Sequence, residues 1–385
     1  MKSRLFILLL VSHFFLDLCI GIWPLYKTIA HLEIAKAGLI MGAAGFIGEM
    51  TQLFFGLLSD QGRRKQLLIL GLLLASSIFF VTFCNGYLGL MGIMLCLMIG
   101  SGAYHPSAAG FASQLSHEKG RPLLLFTACG ALGLGLSQVI FSQTLKVFNG
   151  HAFVLLVPLA LIIGLWVFHK SPQDLSTKRA SPAGIFKTFA KHRRSLSLLY
   201  LVQVITYGVV LSLVFLLPDL LRSKGSSEFL CMGGGHLALI LGSVLGMITL
   251  SFFTQKWGYK NTLLLAASLG LLLFSSFLFT PLASSWITTL LLVSIGASLL
   301  AMNPLIVAWG NALIPESPSS VSGLLMGFAW GFANLFPIVA GFLSAQSHSS
   351  YLSTIALFSP LLLVGIIGIL LIPAPKRAFS EGALL

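Results

Sequence analysis

The sequence predicts an all-α membrane protein of twelve transmembrane helices, arranged as two pseudo-symmetric six-helix bundles with both termini on the inner side. Three observations predict it. Of 385 residues, 57% are hydrophobic and only 9% charged, with a mean hydropathy of +0.97, whereas a water-soluble chain carries about a quarter of its residues charged. The apolar residues arrive in blocks of about 20, the length of helix that crosses a bilayer core. The basic residues between the blocks are divided unequally between the two sides.

The first block, 5–29, follows Lys2 and Arg4 like the opening of a secretory signal peptide. His13 and Asp17 interrupt its apolar centre and no small-x-small site follows, so it is expected to remain as an uncleaved helix. The next blocks are 37–59, 67–84, 88–112, 122–147 and 152–168; after a polar stretch come 196–221, 233–254, 262–280, 286–310, 322–345 and 352–372. Twelve spans leave no room for an extramembrane domain.

The formal charge of +13 would suit a nucleic-acid binder, but the basic residues lie between apolar blocks and read as topology signals. With the N-terminus inside, 18 of the 23 Lys and Arg fall on the inner side. The longest connection, 170–195, is basic and inner; Ile185, Phe186 and Phe189 alternate with basic residues there. That pattern suits an amphipathic helix on an anionic leaflet and equally a solvated linker.

This linker separates residues 1–169 from 196–372, with 373–385 as an inner tail. The halves echo each other. Gly56-Leu-Leu-Ser-Asp60-Gln-Gly-Arg-Arg-Lys65 corresponds to the segment from Ser251 to Lys260 at an offset of 195, and His105-Pro106 to Asn303-Pro304 at 198. Agreement within three residues argues for a duplicated six-helix unit, an arrangement in which two halves rock about a central site.

Candidate site residues are the polar ones inside apolar blocks. Gly38, Gly42, Gly45, Glu49, Gln52 and Gly56 share one face of the second helix, and Gly323, Gly327 and Gly331 form a stripe near the end of the chain. Small-residue faces suit close helix contacts, sliding or static. Glu49 at mid-membrane must be protonated, paired or facing water, which fits proton coupling or interface hydrogen bonding. His13 and Asp17, four residues apart, stack on one helical face and can share a proton; the alternative is a polar tie to neighbouring helices. Tyr104-His105-Pro106 combines a phenol and an imidazole with a proline that frees a helix carbonyl, a set that binds a substrate oxygen or merely bends the helix. Gln203, Tyr207, Asn303 and Asn334 lie at comparable depth in the second half, as cavity lining or as helix glue.

The five cysteines stand singly, with no metal-like spacing, and GxxxxGK[ST], HExxH and GxSxG are lacking. No metal, cofactor or enzymatic chemistry is therefore expected.

The loop Gly56 to Lys65 resembles the GxLaDrxGrk signature of the major facilitator superfamily. Ser12-His13-Phe-Phe-Leu-Asp17, Gly100-Ser-Gly-Ala-Tyr-His105-Pro106, and Leu313-Ile-Pro315 followed by Val321-Ser322-Gly323-Leu-Leu-Met-Gly327-Phe-Ala-Trp-Gly331 resemble its fosmidomycin-resistance subgroup. The resemblance implies two six-helix bundles around a central cavity and a proton-linked secondary transporter, often an exporter of small organic compounds. It places His13 and Asp17 on the subgroup's SHxxxD and His105 and Pro106 on its HP. Asp60, Arg64 and Lys65 fall on the loop positions that make inner-side charge contacts.

Several positions depart from the pattern. The loop's second glycine comes early, at Gly62; Ser107 replaces an acid, Gly110 stands where an arginine is expected, and Ser137-Gln138 replaces an antiporter Gly-Pro. The expectation is a monomeric, multi-pass transporter of a bacterial inner membrane, with a small-molecule substrate, protons and an anionic inner leaflet as partners. Nutrient uptake is the alternative direction, and a transport-dead sensor or assembly protein the alternative class.

Overall fold

A computed structural model describes residues 2–115, 121–169, 190–281, 284–315, 318–346 and 350–373. Among these residues all regular structure is helical. Ten helices among the described residues are long and apolar enough to cross a membrane. In chain order the helices are α1 (Arg4–Ile29), α2 (Ile34–Leu58), α3 (Gln61–Phe83), α4 (Tyr87–Ala112), α5 (Leu125–Val147), the shorter apolar α6 (Phe153–Phe168), α7 (Arg193–Ser223), α8 (Leu230–Phe279), α9 (Ser285–Leu313), α10 (Ser320–Ser344) and α11 (Tyr351–Leu371). Most of the 170–195 linker, and its proposed surface helix, lies outside the described residues.

Burial runs opposite to that of a soluble protein. Leu88, Phe168, Phe279 and Trp286 point outward, each at least 85% exposed, while Ser12, Gln138, Gln203 and Asn303 are buried. Apolar surface of this extent is stable only against lipid.

The expected helices at 233–254 and 262–280 form one 50-residue run, α8, broken at Gly258 (φ 75°, ψ 167°). At about 1.5 Å per residue such a run would be more than twice as long as a bilayer core is thick. The turn is so tight that helical geometry resumes directly on either side of one glycine. Gly62 (φ 84°) performs the same task inside the π-turn Ser59–Arg63 that joins α2 to α3. Side chains rarely adopt positive φ, which explains glycine at both corners.

Beside those corners the two sequence halves make the same contact. Lys65 Nζ donates to the carbonyls of Val167 (3.0 Å) and His169 (2.8 Å) at the end of α6. Lys260 Nζ donates to Leu370 and Ile372 (both 2.7 Å) at the end of α11. Each ammonium satisfies orphan carbonyls and opposes the negative end of a helix. The lysines are separated by the 195-residue offset of the repeated loop.

Helices α1 to α6 pack mainly among themselves, as do α7 to α11. The two sets meet along two seams, α2 against α10 and α5 against α8. On the first seam a Cβ at Gly38 would meet the Pro337 carbonyl and Gly341, one at Gly42 would meet Ile338 and the Asn334 carbonyl, and one at Gly45 would meet the Asn334 side chain. Towards the Gly62 end the seam opens: a Cβ at Gly323 would meet nothing within 4 Å, and one at Gly56 only Pro106 of its own half. Of the expected stripe Gly323, Gly327 and Gly331, Gly331 packs against Met50 and Glu49 of α2 and Gly327 against the Glu49 carbonyl, while Gly323 meets nothing; the glycine-on-glycine contact is Gly38 with Gly341. The second seam is pinned by Ser142 Oγ donating to the Met232 carbonyl (2.9 Å) and by His236 Nε2 against the Leu134 carbonyl (3.1 Å). At the closed end Lys27 of α1 forms an ion pair with Asp219 of α7.

Candidate functional site

α1 presents His13 and Asp17 one turn apart on a face covered by α4 and α5. His13 is 5% exposed. Its Nδ1 lies 2.8 Å from the Phe126 carbonyl of α5, and the two rings stack with centroids 3.9 Å apart. His105 of α4 presents Nδ1 to the Ser101 carbonyl (3.0 Å) and hydroxyl (3.1 Å). A carbonyl only accepts, so both imidazoles hold their proton on Nδ1 and turn Nε2 the other way.

Both Nε2 atoms face one carboxylate. His13 Nε2 is 3.4 Å from Asp17 Oδ2, and His105 Nε2 is 3.2 Å from Asp17 Oδ1. The three groups' donor atoms all lie within 4.8 Å of one another, close enough for one small cation to touch all of them. With both rings neutral, two lone pairs and a carboxylate face each other without a hydrogen, which is unfavourable at low dielectric. The arrangement therefore calls for a positive charge at its centre.

Gly130 of α5 forms one wall of this site: a Cβ there would collide with His13 Cε1 and would lie 2.5 Å from His13 Nε2 and from Asp17 Oδ2. Tyr104, fully buried, donates its hydroxyl to the Leu9 carbonyl (3.3 Å) and holds α4 to α1. Trp166 donates to Ser12 Oγ (2.7 Å) one residue from His13.

Glu49 of α2 stands apart from the three. It accepts from Gln52 Nε2 at 2.5 Å and lies within electrostatic reach of His105 and Tyr207. In the second half, Tyr207 packs on Trp330 with ring centroids 4.8 Å apart. Asn334 donates to the Trp330 carbonyl (2.9 Å) and packs where α2 carries Gly45. Gln203 and Asn303 are buried with amide atoms that find no partner among the described residues. In the loop, Arg64 is buried against Gly110, in the space that an arginine at that position would itself fill, and Lys65 caps α6. The Asp60 side chain lies outside the described residues.

The structure thus places His105 against the His13–Asp17 pair and brings in residues not singled out in the sequence: Phe126 and Ser101 act through their carbonyls and Gly130 through empty space, while Gln52, already on the Glu49 face, donates to Glu49. Lys27 and Asp219 did carry a signal, since each is ionisable and falls inside an apolar block.

Comparisons with known proteins agree with this architecture. Residues 5–336 match the family model described as Major Facilitator Superfamily. The chain is 23% identical over 361 residues to the fosmidomycin resistance protein of Escherichia coli (strain K12), covering 90% of this chain and 86% of that protein. Among solved structures, the nucleoside transporter NupG superposes with a TM-score of 0.76 at 14% identity, over 95% of this chain and 98% of that one. A bacterial homologue of the human lysosomal transporter Spinster, inward-facing and occupied, superposes with a TM-score of 0.74 at 14% identity, over 96% of both chains. With a family model matching residues 5–336 and ten helices apolar and long enough to span a membrane among the described residues, the chain belongs to the Major Facilitator Superfamily and is a multi-pass membrane transporter.

Proposed function

We propose that this protein is a proton-coupled secondary transporter of a small organic solute that works by alternating access. The proposed topology is twelve crossings, with α8 contributing one from each arm and α6 a short one, and with both termini in the cytoplasm of a bacterial inner membrane. Residues 1–169 and 196–372 form the moving halves, joined by 170–195. The Lys27 end is then external and closed, while the Gly62 end opens to the cytoplasm. Export in exchange for protons is the favoured direction, since the relative from Escherichia coli is named for resistance to a drug.

The observation that carries this reading is the shared carboxylate of Asp17 between two imidazoles whose Nδ1 atoms are committed to carbonyls. A proton placed on either Nε2 converts a repulsive contact into a charge-assisted hydrogen bond. Losing that proton makes the packing of α1, α4 and α5 unfavourable, which gives protonation a grip on conformation. Gln203, Tyr207, Asn303 and Asn334 supply polar groups for the solute, and Glu49 is a second proton carrier on the moving seam. Asp60, Arg64 and Lys65 act in gating at the cytoplasmic end. Tyr104 supports His13.

The test needs no solute. Spin labels on exposed loop residues of the two halves, at G86C and S284C, report the separation of the closed end between about pH 5 and pH 8, the range over which imidazoles titrate. Wild-type protein is expected to change its distribution, and Asp17→Asn and His105→Gln to lose the change. Other titratable side chains within electrostatic reach of the site are Glu49, Tyr104, Cys19 and Tyr207. An undiminished pH response in both variants would sink the proposal.

A further inference from the structure

Lys27 and Asp219, which the proton site does not use, sit in a cavity of about 410 Å³ at the closed end, together with Thr28, His31, Arg222 and Tyr351. Lys27 is 1% exposed; its ammonium donates to Asp219 and to Thr28 Oγ1 (3.0 Å) and stands 4.8 Å over the Phe215 ring. Arg222 is exposed and, among the described residues, makes no ion pair. His31 is held at φ 51°, a left-handed conformation that a non-glycine residue adopts at some cost. The cavity therefore sets two basic side chains and an imidazole against one carboxylate, and that carboxylate belongs to the other half of the molecule from Lys27.

We propose that this vestibule binds a small oxyanion, a carboxylate or phosphate group, between Arg222 and Lys27 in competition with Asp219, and that its binding releases the tie between the halves. The guanidinium offers two parallel donors to an oxyanion. Breaking a buried ion pair is costly when one charge is left alone. An anion that takes over Lys27 removes that cost and frees Asp219 to follow α7 as the halves part. Linkage then requires the oxyanion to bind the parted state more tightly than the closed one. The inference rests on the reading that the halves part at this end, but it does not need the proton role of His13, Asp17 and His105.

The test uses the full chain in phosphatidylcholine nanodiscs, with inorganic phosphate as probe. Calorimetry reads binding, and the labels at G86C and S284C read separation. Saturable phosphate binding with a wider separation is expected. Arg222→Gln should weaken binding about tenfold or more, which corresponds to about 1.4 kcal/mol. Asp219→Asn, which removes the competitor, should tighten binding and widen the separation without phosphate. Widening in phosphatidylglycerol nanodiscs without phosphate supports the same site with a lipid headgroup as its source; widening with phosphate alone supports a free solute. No saturable binding, unchanged affinity in Arg222→Gln or weaker affinity in Asp219→Asn would overturn the site, and binding without widening would overturn the release. Because binding is read at constant pH, a failed proton response in the Asp17 variant leaves this outcome unaffected.

Discussion

Gly130 is the residue on which the proton site most depends for space. Its hydrogen is all that fits between α5 and the two α1 side chains, with His13 Nε2 and Asp17 Oδ2 both 2.5 Å from the position of a Cβ. Gly130→Ala should push His13 off its stack with Phe126 and cost about 1–3 kcal/mol, the usual penalty for overfilling a packed interior. Thermal unfolding checks the loss, and the pH response between the G86C and S284C labels should be lost with it. Gly164, where a Cβ meets nothing within 4 Å, is the control: Gly164→Ala should not lower the unfolding temperature and should leave the pH response unchanged.

At the level of the helical element, the corners at Gly62 and Gly258 and the lysines beside them repeat one device in both halves. Each corner needs positive φ, and each lysine ties the corner to the last carbonyls of the helix that closes its half. Both lysines are partly exposed, so solvent screens part of the interaction. Lys65→Met and Lys260→Met should each cost about 1 kcal/mol, read as a small fall in Tm. The two losses should add, because the sites are far apart and share no partner. A double variant no worse than either single one would show that the two corners do not act independently.

For the whole molecule, the α2–α10 seam closes at one end because glycines let the backbones touch. Gly42 faces Ile338 and the Asn334 carbonyl so closely that any larger side chain must separate the helices. Gly42→Leu should therefore wedge the Lys27 end apart and break the Lys27–Asp219 pair, seen as a wider G86C–S284C separation at every pH. Gly323→Leu, at the open end where nothing stands within 4 Å, should leave that separation unchanged. An unaltered distance in Gly42→Leu would show that this seam is not what holds the end shut.

The sequence by itself determined the membrane class, most helix positions and the placement of His13 with Asp17 on one helix face. These are local properties: hydropathy over 20 residues and a four-residue spacing on one helix; the tight corners at Gly62 and Gly258 show only in the folded backbone. Only the tertiary structure decided that His105 completes the pair, since it lies 88 residues from Asp17 and its role depends on α4 crossing α1 at that depth. The same holds for Gly130, whose contribution is an absence of atoms, and for Lys27 and Asp219, joined across 192 residues and the two halves of the chain. Spacing along a chain predicts which side chains share a helix face; which faces meet is set by how whole helices pack, and the composition of any single helix does not carry that information.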